Sequence, residues 1–412
     1  MVRALRRLVG DVWRARAWRP AHARLFWSQV GHRHRHAALT DGDHLVAAAE
    51  WLCRAQDVMP DGGVCGRYSL ETGWSSSYPE TTGYIIPTFL ALAEEFQDNR
   101  FQDRAARGVG FLLSVQLANG AFPGGEIRDR VAPSVFNTAQ ILAGLTAWHR
   151  FAGDPRALQG ADRAAQWLTS AQEPDGAWRS HVYEGVATTY TAHAACWLAE
   201  FGDYRGNSAY LDAASRHLDW VLGQQDPESG WFDLAGFTAG EHVARRAVTH
   251  TIASTLWGVL CTSELLGRSD GVAAVAKAAQ SIARTLELAG WLPGILDSRW
   301  RGCAPYACLT GNAQMALTWL RLYRHTSGGE LLRAARKALD LVKRAQPMFT
   351  HDRDIRGGIP GSDPIWGEYL HCALPNWAAK FFIDGLLLQW RVVGEHRIAC
   401  ATFSEWGSAR KE

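Results

Sequence analysis

The chain has 412 residues, 47% of them hydrophobic and 20% charged, with a formal charge of +2. That length can bury a large core, the near-neutral balance gives no case for a nucleic-acid partner, and no stretch approaches the roughly eighteen uncharged apolar residues of a transmembrane helix. The eight cysteines stand singly, and the closest pair, Cys303 and Cys308, lacks the second Cys/His pair of a structural zinc site, so reduced thiols in a cytoplasmic setting and no metal are expected.

In chain order, residues 1–40 open with MVRALRRLVGDVWRARAWRP, which is basic and roughly helical in period but lacks the apolar core of a secretory signal. Leu5, Leu8, Val9, Val12 and Trp13 share one side, as in a capping helix or a peripheral contact with an anionic membrane. A helix is predicted over 43–56, with Leu45, Ala48, Ala49 and Leu52 as its buried stripe. The connection DGGVCGRYSLETGWSSSYPE follows, then a second helix in TTGYIIPTFLALAEEF that Pro87 should kink or delay. This plan recurs. An aromatic or apolar residue followed five positions later by Gln marks Trp51/Gln56, Phe111/Gln116, Trp167/Gln172, Trp220/Gln225 and Leu341/Gln346, and a further unit that has lost its Gln lies at SIARTLELAGWLPG. Six helical hairpins result. Their second helices, such as IIPTFLALA and AAKFFIDGLLL, are apolar nearly all round and should be buried on both sides. The predicted fold is therefore all-α, an (α/α)6 toroid over 41–395 with the second helices inside, between a leader at 1–40 and a tail at 396–412.

Functional residues are expected where the long connections meet the inner-helix N-termini. N-capping accounts for Thr81, Thr189, Thr249 and Thr310. It does not account for Tyr84, Gln140, His193 and Gln314, which recur inside the helices and should line a funnel. Converging helix N-termini favour an anionic group there, and flat tryptophan faces suit sugars. Trp74, Trp300 and Trp366 are expected as pocket walls, and Trp178 and Trp231 as plugs of the repeat turn. The candidate acid/base groups are Glu80, Tyr190, His193, His250 and Tyr306. Arg67, Tyr78, Asn137, Asp297, Asn312 and Asn376 complete the candidate binding set. Elimination or epimerisation needs a base, an acid and donors to a carboxylate, which Tyr190 or His250 with Arg67 and Asn312 would supply. Hydrolysis needs two carboxylates, for which Glu80 has Asp297, Asp175 or Asp363 as partners. Against these readings, Glu80 could merely complement a helix dipole, His193 could be a core imidazole, and Asp175 could hold its turn.

The turns QEPDGAW, QLANGAF and QQDPESGW resemble the QW repeat of terpene cyclases and protein prenyltransferases, a resemblance that implies an α/α toroid. No DxDD acid motif accompanies them, and DSRWRGC at 297–303 is the nearest approach to a prenyltransferase zinc set. SSYPETTGYIIPTFLAL (76–92), YACLTGNAQMALTWLRLY (306–323) and GGIPGSDPIWGEYLHCALPNWAAKFFIDGLL (357–387) resemble a bacterial family encoded among exopolysaccharide biosynthesis genes. That family is similar in architecture to toroidal glycosidases, polysaccharide lyases and uronate epimerases. The resemblance implies a lyase, epimerase or glycoside hydrolase acting on a complex, acidic polysaccharide or lipid-linked oligosaccharide, with no cofactor. The alternatives are an isoprenoid cyclase or transferase, and a non-catalytic glycan-binding component of a biosynthetic complex.

Overall fold

The computed structural model describes residues 10, 13, 15–29, 39–129, 132–326 and 329–394; Leu5, Leu8, Val9 and Val12 of the leader and the tail 396–412 lie outside them. The fold is an all-α (α/α)6 toroid. Its outer helices are Asp41–Asp57, Arg100–Val115, Pro155–Ser170, Ser208–Leu222, Ser269–Ala289 and Gly329–Ala345. The inner ones are Pro79–Phe96, Val135–Ala152, Ala192–Arg205, Thr249–Leu266, Leu309–Thr326 and Asn376–Val393. Each inner helix packs on the next, and the sixth packs back on the first.

The tightest inner–outer packing is across the short turns. Each inner helix lies against the outer helix that follows it in sequence, and helix 376–393, having no such follower, packs on the first outer helix, 41–57. The short turns form because the inner helices end on left-handed caps, at Gln97, Gly153, Gly206 and Gly267.

The repeat glutamines join the outer layer. Gln116 Nε2 donates to the carbonyl of Gly120 in its own turn and to that of Gly160 on the next outer helix, both at 2.9 Å. Gln172 does the same to Gly176 and Ala213, Gln225 to Gly230 and Ala274, and Gln56 to Gly62 and Arg104. Gln346 bonds to Gly357 and, across the closure, to His44. One amide thus bridges a turn carbonyl and a carbonyl of the next outer helix and fixes the spacing of neighbouring helices. Trp178 is fully buried with its indole N–H on the Leu168 carbonyl, and Trp231 is buried against Trp300, as plugs of the turns.

Pro87 neither breaks nor delays its helix, which runs unbroken from Pro79 to Phe96. The proline removes the donor that the Gly83 carbonyl would otherwise receive. Gly144 of the neighbouring inner helix closes on that carbonyl so tightly that a Cβ on it would lie 2.2 Å from the oxygen. The threonines expected as N-caps also act differently: Thr249 Oγ1 donates to the Pro293 and Gly294 carbonyls, Thr189 Oγ1 to Asp233 and Thr81 Oγ1 to Tyr78. At these buried helix starts the hydroxyls find their acceptors in nearby carbonyls and so do not cap the helix. Short strands absent from the sequence reading tie the long connections together. Residues 67–69 pair with 73–74 and 373–375, 246–248 with 295–297, and 307–308 with 362–363. Three inner helices start directly after such a strand, so the strands set where their first turns point.

Candidate active site

Side chains at or just before the inner-helix starts, with Phe237 and Tyr369 from the long connections, form an aromatic collar around the ring axis. Tyr78 meets Trp377 edge-on at 6.2 Å, and the Trp377 indole donates to the Tyr369 hydroxyl at 3.0 Å. Tyr369 lies 5.7 Å from the His250 ring, His250 6.3 Å from Phe237, Phe237 5.6 Å from Tyr190, and Tyr190 5.4 Å from Phe136. Phe136 then contacts His193 at 6.0 Å.

At the collar Glu80 and His250, like Tyr78 and Tyr369, keep partial access to water. Glu80 receives the Tyr78 hydroxyl at 2.7 Å. Its deep setting raises its pKa to about 7, although the Tyr78 bond pulls the other way, so both protonation states are populated near neutrality. His250 Nδ1 lies 2.5 Å from Gln314 Oε1, while Gln314 Nε2 donates to Ser254 Oγ. This network assigns the proton to Nδ1 and leaves the lone pair on Nε2. Burial lowers the His250 pKa to about 4, so at physiological pH the ring is neutral, a weak base whose Nε2 lone pair is free of a proton. His193 is pushed further, to about 3, by burial first and then by the charges of Lys380 and His250. Helices 79–96 and 249–266 are separated by two inner helices on either path around the ring. Glu80 and His250 therefore stand on opposite sides of the axis.

Beneath the collar is a cavity of about 220 Å³, walled by Tyr84, His193, Trp197, Gln314, Lys380 and Phe381 among others. Lys380 Nζ bonds to Asp384 Oδ2 at 2.7 Å, whose other oxygen receives Thr88 Oγ1 at 2.8 Å, and the ammonium sits 4.3 Å from the Phe381 ring centroid. Gln140 Oε1 accepts from the Trp197 indole.

The remaining predicted residues divide by position. Arg67 pairs with Glu126 at 2.9 Å and is half exposed. Trp74 packs in the first connection against Trp51 and Tyr68. Asn137, Asn312 and Asn376 each donate to a loop carbonyl, of Pro123, Cys308 and Cys65, and so fasten connections to helix starts. The structure does not bring four others to the collar in the expected way. Asp297 is held by Arg301 and by the backbone N–H groups of Arg299 and Arg301. Trp300 is 8% exposed, edge-on to Trp231, with its indole bonded to Ser229. Trp366 stacks on Phe26 of the helix Pro20–Gln29. Tyr306 is 4% exposed, its ring wedged against the backbone of Gly294 and Gly367. Sequence reasoning missed Phe136, Phe237, Tyr369, Trp377 and the Lys380–Asp384 pair. A Lys and an Asp four apart in an otherwise apolar inner helix were a usable signal for that pair; the loop aromatics offered none.

No protein-family model matches the chain. Among solved structures, an unsaturated glucuronyl hydrolase specific for heparin superposes with a TM-score of 0.67 at 14% identity, over 85% of this chain and 97% of that one. The cellobiose 2-epimerase of Bacillus thermoamylovorans gives 0.67 at 13% identity, over 88% and 97%. These likenesses concern the fold. Among curated proteins, the copalyl diphosphate synthase of Streptomyces cyslabdanicus is 26% identical over 242 residues, 48% of this chain and 44% of that protein. Lanosterol synthase of Pneumocystis carinii is 23% identical over 225 residues, 46% and 30%. The chain spans less than half the length of these curated relatives.

Proposed function

We propose that the protein is a carbohydrate-active enzyme that moves a proton at a sugar carbon made acidic by a neighbouring carbonyl or carboxylate, by epimerisation or elimination. The observation that carries this reading is the pairing of a neutral imidazole base, His250, with an acid near neutrality, Glu80, on opposite sides of one aromatic collar. Abstraction from one face by Nε2 and delivery from the other by the Glu80 carboxyl would invert the carbon, and with a leaving group at the next position the same base would drive elimination. The collar rings suit the C–H faces of a pyranose, and the converging helix N-termini suit an enediolate or a uronate carboxylate. An acidic exopolysaccharide, free or lipid-linked, is the substrate class this favours. Two-carboxylate hydrolysis fits less well: of the three partners named for Glu80, Asp175 is bound to Arg179 and Asp297 to Arg301, and the third, Asp363, is buried in the strand 362–363.

The aromatic walls of the lower cavity and the curated relatives favour a second reading, isoprenoid cyclisation. Protonating an alkene requires an unusually strong acid, however, and the Glu80 carboxyl is shifted the other way. The test is incubation in heavy water with uronate-containing oligosaccharides and polysaccharide, read by NMR. Deuterium at one sugar carbon with a new epimer, or an unsaturated uronate without carbon-bound deuterium, is expected. New reducing ends with neither carbon-bound deuterium nor an unsaturated uronate would replace the proposal with hydrolysis.

A further inference from the structure

The overall charge of +2 conceals a segregation: residues 1–29 hold seven arginines against a single acidic residue, Asp11, so the rest of the chain is net acidic. The same segment holds three of the large hydrophobic residues that the fold leaves in water. Trp13 and Trp27 are 72% exposed and Trp18 is 59% exposed. Trp13 and Trp18 lie together, with ring centroids 4.8 Å apart. On helix 20–29 the exposed Arg24 and Trp27 are three residues apart and share a face, while Leu25, Phe26 and Gln29 turn inward. A groove of about 1000 Å³, with Trp27 on one wall and Phe349 on the other, separates this helix from residues 343–350.

The segment is anchored on the mouth side of the ring. Gln29 Oε1 accepts from the Ile365 N–H at 2.5 Å, and Phe26 stacks on Trp366, in the connection whose Tyr369 belongs to the collar. Among the described residues no helix is long and apolar enough to cross a membrane. We infer that this face docks on an anionic lipid bilayer, its tryptophans seated at the headgroup level and Arg19 and Arg24 on the phosphates. Interleaved Trp and Arg is the chemistry of a water–lipid interface, where the indole wants an apolar body and a wet edge and the guanidinium wants phosphate. An acidic body makes the alternative of wholesale electrostatic adhesion weaker, because the rest of the chain carries net charge of the opposite sign to this segment. If the proton-transfer reading holds, such docking sets the mouth beside the bilayer, and a lipid-anchored sugar chain is the substrate it would meet.

The experiment uses the full chain and vesicles of phosphatidylcholine alone or mixed in equal parts with phosphatidylglycerol. Co-sedimentation with the anionic vesicles, a blue shift of tryptophan emission and release at high salt are expected, with little binding to the neutral vesicles. Replacing Trp13, Trp18 and Trp27 together by Ser should weaken binding at least about tenfold, as should Arg19→Glu with Arg24→Glu, with unchanged melting temperatures. Equal binding to both vesicle types, or by both variants, would overturn the inference. So would a dimer in light scattering that the tryptophan variant abolishes, since that would assign the face to a second copy. Vesicle binding needs no turnover, so its failure would leave the proton-transfer proposal standing, and the converse holds.

Discussion

His250 Nδ1 lies 2.5 Å from Gln314 Oε1, a bond between adjacent inner helices that decides which nitrogen of the imidazole carries the lone pair. His250→Ala should lower kcat by about 10²- to 10⁴-fold, with a melting temperature close to the parent's. Gln314→Leu frees the tautomer without removing the base. Its kcat should fall by roughly tenfold with KM little changed, as read by solvent deuterium exchange alongside thermal melts.

Glu80 makes stability depend on pH in a definite direction. A carboxyl raised from 4.5 to about 7 holds a proton in the folded state that the unfolded chain releases, so its favourable contribution is complete below pH 4.5 and is lost as pH rises to about 7. Glu80→Gln should therefore be more stable than the parent above pH 7, by up to about 3 kcal/mol, and equal to it near pH 4.5. Equal differences at both pH values in urea titrations would show that the carboxyl is not shifted.

Tyr78→Phe removes the hydrogen bond that holds the Glu80 pKa down. Activity that needs protonated Glu80 falls as pH rises through that pKa. In the Phe variant this limb of the kcat/KM profile should move to higher pH.

Gln172 Nε2 donates to the carbonyls of Gly176 and Ala213 at once and so ties its turn to the next outer helix. Gln172→Ala should cost about 1–3 kcal/mol of stability in denaturant titration while KM stays within twofold or so, because the bond lies in the outer layer, remote from the collar.

Gly144→Ala places a methyl 2.2 Å from the Gly83 carbonyl oxygen, backbone against backbone with no flexible side chain to yield. A loss of about 2 kcal/mol or more is expected. Gly153→Ala, at a left-handed cap with open space around it, should cost less, about 1 kcal/mol.

The architecture was legible because it is periodic. The Gln at the end of five of the six outer helices marks a place where one amide bridges two carbonyls, and the all-round apolar inner helices report burial on both sides. Packing phase was less legible. The sequence units join an outer helix to an inner one through a long connection, whereas the closest packing runs through the short turns. The collar was half legible: Glu80, Tyr190, His193 and His250 sit at helix starts, where register predicts their direction. Tyr369 and Phe237 lie in irregular connections whose path depends on strand pairings and on the docked N-terminal helix, neither of which has local periodicity. Trp300 and Trp366 misled for the same reason: an indole in an irregular loop looks available until its neighbours, Trp231 and Phe26, are known.

The contact of helix 41–57 with helix 376–393 orders the events of folding. During synthesis five hairpins can form as each short turn emerges, but the first outer helix has no inner partner until the last helix has been made. Until then an apolar flank stays uncovered at each end of the growing arc. Completion joins residues more than three hundred positions apart, as where Gln389 Nε2 donates to Asp41 Oδ2, a non-local step that slows folding. Such a chain is most exposed to aggregation after most of its helices have formed, and a chaperone that shields the two open flanks would speed folding more than one that assists helix formation.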